Sequence, residues 1–127
     1  MTPSSPRVRF LGRANYADTF EAMRRFVHRR PADAHDEIWL LEHDPVFTLG
    51  QNAAAEHVLA AGDIPVVQVD RGGQVTYHGP GQLVVYPLVY LPRLKLGVRT
   101  LVDALEGTIV DWLGELGHPA VARRDAP

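Results

Sequence analysis

RGGQVTYHGPGQ, residues 71–82, places four glycines, a proline, an arginine, a histidine and a tyrosine in twelve positions. Glycine is disfavoured in ordered backbone unless φ must be positive or another group must approach closely. Gly72-Gly73 and Gly79-Pro80-Gly81 therefore each need a cause. Two tight turns bounding a short strand from Gln74 to His78 would be one. A ligand lying against bare backbone would be another. Arg71 and His78 bracket the same strand and so set a cation and a titratable donor beside exposed amides, which a turn does not require.

Working outward, the pattern predicts a mixed α/β chain. Upstream, IPVVQV (Ile64 to Val69) is a β-branched strand between Gly62-Asp63 and Asp70-Arg71-Gly72-Gly73, and the simplest connection is a hairpin into Gln74 to His78. Downstream, LVVYPLVYL (Leu83 to Leu91) is a long apolar strand in which Pro87 requires an edge, a bulge or the strand's end. PRLKLG reads as a turn. Val98, Leu101, Val102, Leu105, Ile109, Trp112, Leu113 and Leu116 then mark a helix packed on a sheet and ended by Gly117 and Pro119.

Nearer the amino terminus, the alternation from Arg7 to Leu11 predicts a half-exposed strand at a sheet edge. Tyr16, Phe20, Met23 and Val27 fall at helical spacing, with Asn15 as cap and Pro31 as stop. Arg24, Arg25, Arg29 and Arg30 lie on that helix's outer face and end, where they read as a solvated surface or as a contact for an acidic carrier. Ile38 to Leu41 predicts a central strand, Val46 to Leu49 a short extended piece, and Ala53 to Ala61 a short helix.

Composition narrows the function. The 127 residues fit one domain, and 46% hydrophobic with 22% charged residues is ordinary for a globular protein. No apolar run is long enough to span a bilayer, so no membrane association is expected. The start MTPSSPRVRF lacks the features of a secretory signal, which makes the cytoplasm the default. A formal charge of −2 argues against nucleic acid as partner. With no cysteine there is no disulfide, thiolate metal site or thiol nucleophile, and the six histidines show no short ligand spacing.

RGGQVTYHGPGQ, preceded by DEIWLLEHDPVFTLGQNAAAEHVL (Asp36 to Leu59) and followed by KLGVRTLVDALE (Lys95 to Glu106), resembles the octanoyltransferase family of lipoate biosynthesis. The resemblance runs from about Val8 to Pro127. It implies the fold shared by lipoate and biotin protein ligases: an α/β (α+β type) domain with a mixed, largely antiparallel sheet and packed helices. Residues 1–127 would be the amino-terminal part of one such catalytic domain, incomplete at the C-terminus. It also implies transfer of an octanoyl group from octanoyl-acyl carrier protein to a lysine of lipoyl domains, those of 2-oxoacid dehydrogenase complexes and the glycine cleavage H protein, without a cofactor. The family's substrate-binding segment matches Arg71, Gly72, Gly73, Gln74, Val75, Thr76, Tyr77 and His78. Its acyl-accepting cysteine and neighbouring lysine lie downstream of Pro127. Lys95, the only lysine, belongs to the KLGV segment and inherits no catalytic role.

Acyl transfer needs a nucleophile, donors aimed at the carbonyl oxygen and a dry groove. Amides at Gly72, Gly73 and Gly79, with His78, are the candidate donors. Burying six methylenes of an octanoyl tail is worth on the order of 5 kcal/mol. Leu83 and Val85 are either plain core or part of that groove. His43, in the H-x-P-V-F segment, is either a satisfied structural histidine or a group near the site, and Tyr77 and Tyr86 carry the same ambiguity. Two other readings stay open: an ATP-dependent lipoate or biotin ligase relative, and a non-catalytic acyl or carrier-protein binding module.

Overall fold

The computed structural model describes residues 5–31, 33–51, 62–123 and 125. The expected helix from Ala53 to Ala61 lies outside the described residues. The chain forms two compact units, Met1–Val89 and Tyr90–Pro127.

In the first unit, strand β1 (Arg7–Ala14) leads through Asn15 into helix α1 (Tyr16–Arg29) and then β2 (Glu37–His43). Asn15 caps α1 by accepting the Asp18 amide at 3.0 Å. The chain leaves the helix at Arg30, one residue before Pro31, because the residue before proline is pushed towards extended backbone. β1 and β2 pair in parallel, and β2 pairs antiparallel with β6 (Val84–Leu88), so β2 is central and β1 is the expected edge. The register sets Ile38 against Pro87 on the other edge strand, where a missing amide is tolerated.

Alternation along β2 sorts its side chains. Trp39, Leu41 and His43 are buried, and Trp39 meets the edge of Phe26 from α1 with ring centroids 6.0 Å apart. Phe26 therefore takes the inward position expected for Val27, which is exposed. Arg30 also departs from expectation. Its guanidinium is largely buried, donates to the carbonyls of Leu88 and Val89, and lies 3.9 Å from Asp36. It ties the end of α1 to the end of β6, where the ladder with β2 stops at the Glu37–Leu88 pair. The opposite sheet face carries Val8, Phe10, Leu40 and Val85, of which Phe10 is 79% exposed.

The second sheet of this unit has the order β4-β3-β5, with β3 (Val46–Leu49) between β4 (Val66–Gln68) and β5 (Val75–His78). β3 is parallel to β4 and antiparallel to β5. The expected β4 to β5 hairpin is thus replaced by two strands on opposite edges of β3. Val46, Thr48 and Leu49 are buried, and β3 offers both edges, so each flanking strand gains a ladder with the most buried segment available. Of the four strand pairings among the described residues, two are parallel and two antiparallel.

In the second unit, PRLKLG contains more than a turn: Leu91–Leu94 is a short helix, α2, with Pro92 in its first turn, where its missing amide removes nothing. Lys95 closes it in the left-handed region, at φ 55°. Helix α3 (Val98–Glu115) forms where the spacing placed it. Gly117, at φ 84°, ends it, with the His118 amide returning to the Leu113 carbonyl at 2.8 Å. Val98, Ile109, Trp112 and Leu116 are more than half exposed.

Candidate functional site

The segment from Asp70 to Gln74 folds over Gly50, and Arg71 holds it there. One Arg71 nitrogen, Nη2, donates to the Thr48 carbonyl at 3.0 Å, the Thr48 hydroxyl at 2.8 Å, the Gln74 carbonyl at 3.1 Å and the Thr76 hydroxyl at 3.1 Å. Nη1 donates to the Gly72 carbonyl at 2.9 Å. The Gly50 amide donates to the Gln74 carbonyl and the Gln51 amide to the Arg71 carbonyl. Arg71 is therefore committed to the loop itself and is not an open cation for an anionic ligand. Gln68 adds a second brace, its amide nitrogen donating to the carbonyls of Leu49 and Gly50.

This packing leaves Gly72 and Gly73 exposed, and among the described residues neither amide has an acceptor. Gly73 sits at φ 88°, which accounts for glycine at that position. Val75 to His78 form β5. Tyr77 packs its ring on Phe47 and brings its phenol against the Cα of Gly79, a structural use of that tyrosine. The Gly81 amide is held by the Glu42 carboxylate, which fixes the Gly79-Pro80-Gly81 corner. His78 uses Nδ1 to meet the Gln82 side-chain oxygen at 2.6 Å, and among the described residues its Nε2 has no partner.

His43 joins these parts. It is fully buried, with Nδ1 3.1 Å from the Ala14 carbonyl and Nε2 2.7 Å from the Tyr86 hydroxyl. Its ring lies 5.1 Å from that of Tyr16, 5.8 Å from Tyr86 and 6.1 Å from His78. Four rings from α1, β2, β5 and β6 thus meet where the two sheets join. Burial pushes the Tyr86 phenol up to about 12, with Tyr16 adding to the rise, so Tyr86 keeps its proton. Tyr16 is also raised, by burial first; nearby Arg71 opposes the shift and Asp70 supports it.

His43 is lowered from its usual 6.5, chiefly by burial; the bond to Ala14 works against this, the neighbouring His78 adds to it and Asp44 opposes it. Its folded value lies below its unfolded one, so below about pH 6.5 the unfolded chain binds the extra proton. Stability should fall as pH drops through that value and level off below the folded one. Chemical denaturation over that range measures it, and His43→Gln should flatten the slope; an unchanged slope would mean that another group governs it.

Tyr16 also lines two open hollows, which share Ala17 and Val67 with it. One, of about 380 Å³, is walled largely by Tyr16, Pro45, Val46, Ile64 and Val67. The other, of about 850 Å³, reaches Phe20, Arg24, Gln51 and Asp70. The second ends one residue short of Arg71, and none of residues 71–78 lines either hollow. Leu83 and Val85 are exposed and are not plain core; Leu83 borders a separate shallow hollow of about 280 Å³ with Phe10 and Leu40. Sequence reasoning missed Tyr16, Thr48, Gly50 and Gln68. A glycine directly after a buried strand was the one available signal, since it marks close backbone approach.

Among the described residues no group of three His, Cys, Asp or Glu is placed to hold a metal, and no helix is long and apolar enough to cross a membrane. What the chain offers here is a pair of exposed amides, at Gly72 and Gly73, with no acceptor among the described residues, and a ring cluster around buried His43. The chain belongs to the lipoyl protein ligase A/B catalytic domain family, whose model matches residues 15–126. It is 53% identical over 127 residues, its whole length, to an octanoyltransferase of Shewanella baltica, and covers 58% of that protein. It is 60% identical over 117 residues to an octanoyltransferase of Chromohalobacter salexigens, with 92% of this chain and 53% of the relative covered. In fold it is similar to a T. acidophilum structure described provisionally as a lipoate protein ligase, with a TM-score of 0.68 and 15% identity over 98% of this chain and 54% of that one. The chain thus spans little more than half the length of these relatives.

Proposed function

We propose that residues 1–127 are the amino-terminal part of a single catalytic domain that transfers an octanoyl group from octanoyl-acyl carrier protein to a lysine of lipoyl domains, the first step of protein lipoylation. The observation that carries this reading is the identity to octanoyltransferases along the whole chain, with the glycine loop inside the matched region. The match to the family model crosses from the first compact unit into the second, which supports one domain.

In this reading Arg71 shapes the loop, Gly72 and Gly73 turn free amides towards the acyl carbonyl, and His78, at the far end of β5 with its Nδ1–H given to the Gln82 side-chain oxygen, offers Nε2 as an acceptor. Gln74, Val75, Thr76 and Tyr77 hold the strand in register. The hollows beside Tyr16 take the fatty chain, whose burial supplies binding without sharp length selection, since one methylene is worth roughly ten-fold to two-hundred-fold. The acyl group passes from the carrier thioester to a protein thiol supplied by the remainder of the domain, releasing the carrier thiol, and then to the neutral lysine Nζ, forming the amide while the amine proton returns to the freed protein thiol. The reaction belongs in the cytoplasm, where the acceptors are the lipoyl domains of 2-oxoacid dehydrogenase complexes and the glycine cleavage H protein.

The test is transfer by the full-length protein from octanoyl-acyl carrier protein to a lipoyl domain, alongside free octanoate with and without ATP. Transfer from the carrier without ATP is expected; strict dependence on ATP with free octanoate would replace this reading by a ligase. Gly73→Val, which forces a β-branched residue to a φ of 88°, and His78→Ala should each lower transfer at least about ten-fold. Wild-type rates in both would remove the loop from the site.

A further inference from the structure

We propose that His43 and Tyr86 form an uncharged positioning pair: the Ala14 carbonyl fixes His43 as the Nδ1–H tautomer, Nε2 accepts a hydrogen bond from the Tyr86 hydroxyl, and the locked ring is the wall that sets the orientation of His78. Nothing in the acyl-transfer reading assigns a role to either residue.

The tautomer follows from donor and acceptor chemistry. A carbonyl can only accept, so the His43 nitrogen 3.1 Å from Ala14 carries the hydrogen. A neutral ring then presents a lone pair at Nε2, and at 2.7 Å the Tyr86 hydroxyl is its donor. Both ring nitrogens are used, the ring is fully buried, and it has no freedom to flip without breaking both bonds. The two bonds come from β1 and β6, the strands on either side of β2, so the ring plane is set by the sheet itself.

The groups facing His43 are Tyr16 from α1, Asp44 beside it, His78 from β5 and Tyr86 from β6. Of these, His78 alone combines an exposed neighbourhood with a nitrogen unpaired among the described residues. Its ring stands edge-on to His43, at 62° and 6.1 Å, while Gln82 holds its Nδ1. Two contacts thus aim Nε2: a hydrogen bond from one side and a ring whose own orientation is fixed by Tyr86 from the other. A charged His43 would repel a cationic His78, so an uncharged pair keeps the wall usable in either protonation state of His78.

The experiment is ring-nitrogen NMR of the full-length protein, wild type and Tyr86→Phe, with transfer kinetics on both. In the wild type at neutral pH His43 should show a protonated Nδ1 and a hydrogen-bonded bare Nε2. An Nε2–H tautomer or an imidazolium there would overturn the proposal. In Tyr86→Phe the neutral form loses its donor, so the Nε2 signal should move to the unbonded position and His43 should protonate more readily. The kcat for octanoyl transfer should fall about ten-fold with KM for the acyl carrier unchanged, the mark of lost alignment. An unchanged kcat, or a loss confined to KM, would overturn the positioning role. Only this kinetic arm rests on the acyl-transfer reading: a wild type without transfer would sink that reading, while the nitrogen spectra would still decide the state of the pair.

Discussion

Gly50→Ala in the full-length protein is expected to lower stability by roughly 3 kcal/mol and to reduce octanoyl transfer to near background. A Cβ at Gly50 would meet the Gly72 carbonyl at 2.7 Å and Arg71 Nη1 at 2.8 Å, and would run into the Gly73 carbonyl as well. The loop cannot retreat to make room. The Gly50 amide grips the Gln74 carbonyl at 2.8 Å and the Gln51 amide grips the Arg71 carbonyl at 2.9 Å, so the methyl group must break the bonds that place the loop. Urea denaturation reads the stability loss. A wild-type midpoint together with wild-type transfer would mean that the close approach of Gly50 to the loop is dispensable.

Arg71→Lys should be almost as damaging, despite conserving charge. The guanidinium bonds three carbonyls, those of Thr48, Gly72 and Gln74, and the hydroxyls of Thr48 and Thr76. An ammonium group has three donors at a single point and cannot span that set. Bonds to a charged group are worth about 1.5–3 kcal/mol each, and the part-buried Thr48 carbonyl would be left without its side-chain donor. We expect a loss of about 3 kcal/mol and a raised KM for the acyl donor, because the amides of Gly72 and Gly73 lose their fixed direction. Calorimetry and steady-state kinetics check the two parts. If Arg71→Lys melts with the wild type, the loop is held by its backbone bonds alone.

Several elements were legible because their cause is local. Asn15 as cap, Gly117 as stop and the apolar spacing of α3 can each be read within a few residues. β2 could be placed at the centre because Ile38 to Leu41 is apolar on both faces. What failed had a distant cause. The β4 to β5 hairpin looked compelling because the loop between them is short and glycine-rich, but β3 competes for both strands and its burial decides the outcome. Arg30 looked like one of a row of surface cations until the carbonyls of Leu88 and Val89, far along the chain, gave it partners. The candidate site was half visible: the glycine loop stood out by composition, whereas Tyr16, Thr48 and Gln68 belong to it only through folding. Arg71 was noticed for its charge and proves important for the number and plane of its donors.

The placement of β2 governs how the chain must assemble. It takes one neighbour from before α1 and the other from beyond β5, so the ladder from Glu37 to Leu88 closes only after the whole second sheet has been threaded between them. Loop-closure entropy is spent before those contacts give any return, and non-local pairing of this kind slows the search. The first unit should therefore refold slowly for its size, with the β2–β6 ladder joining last and protecting its amides from exchange later than α1.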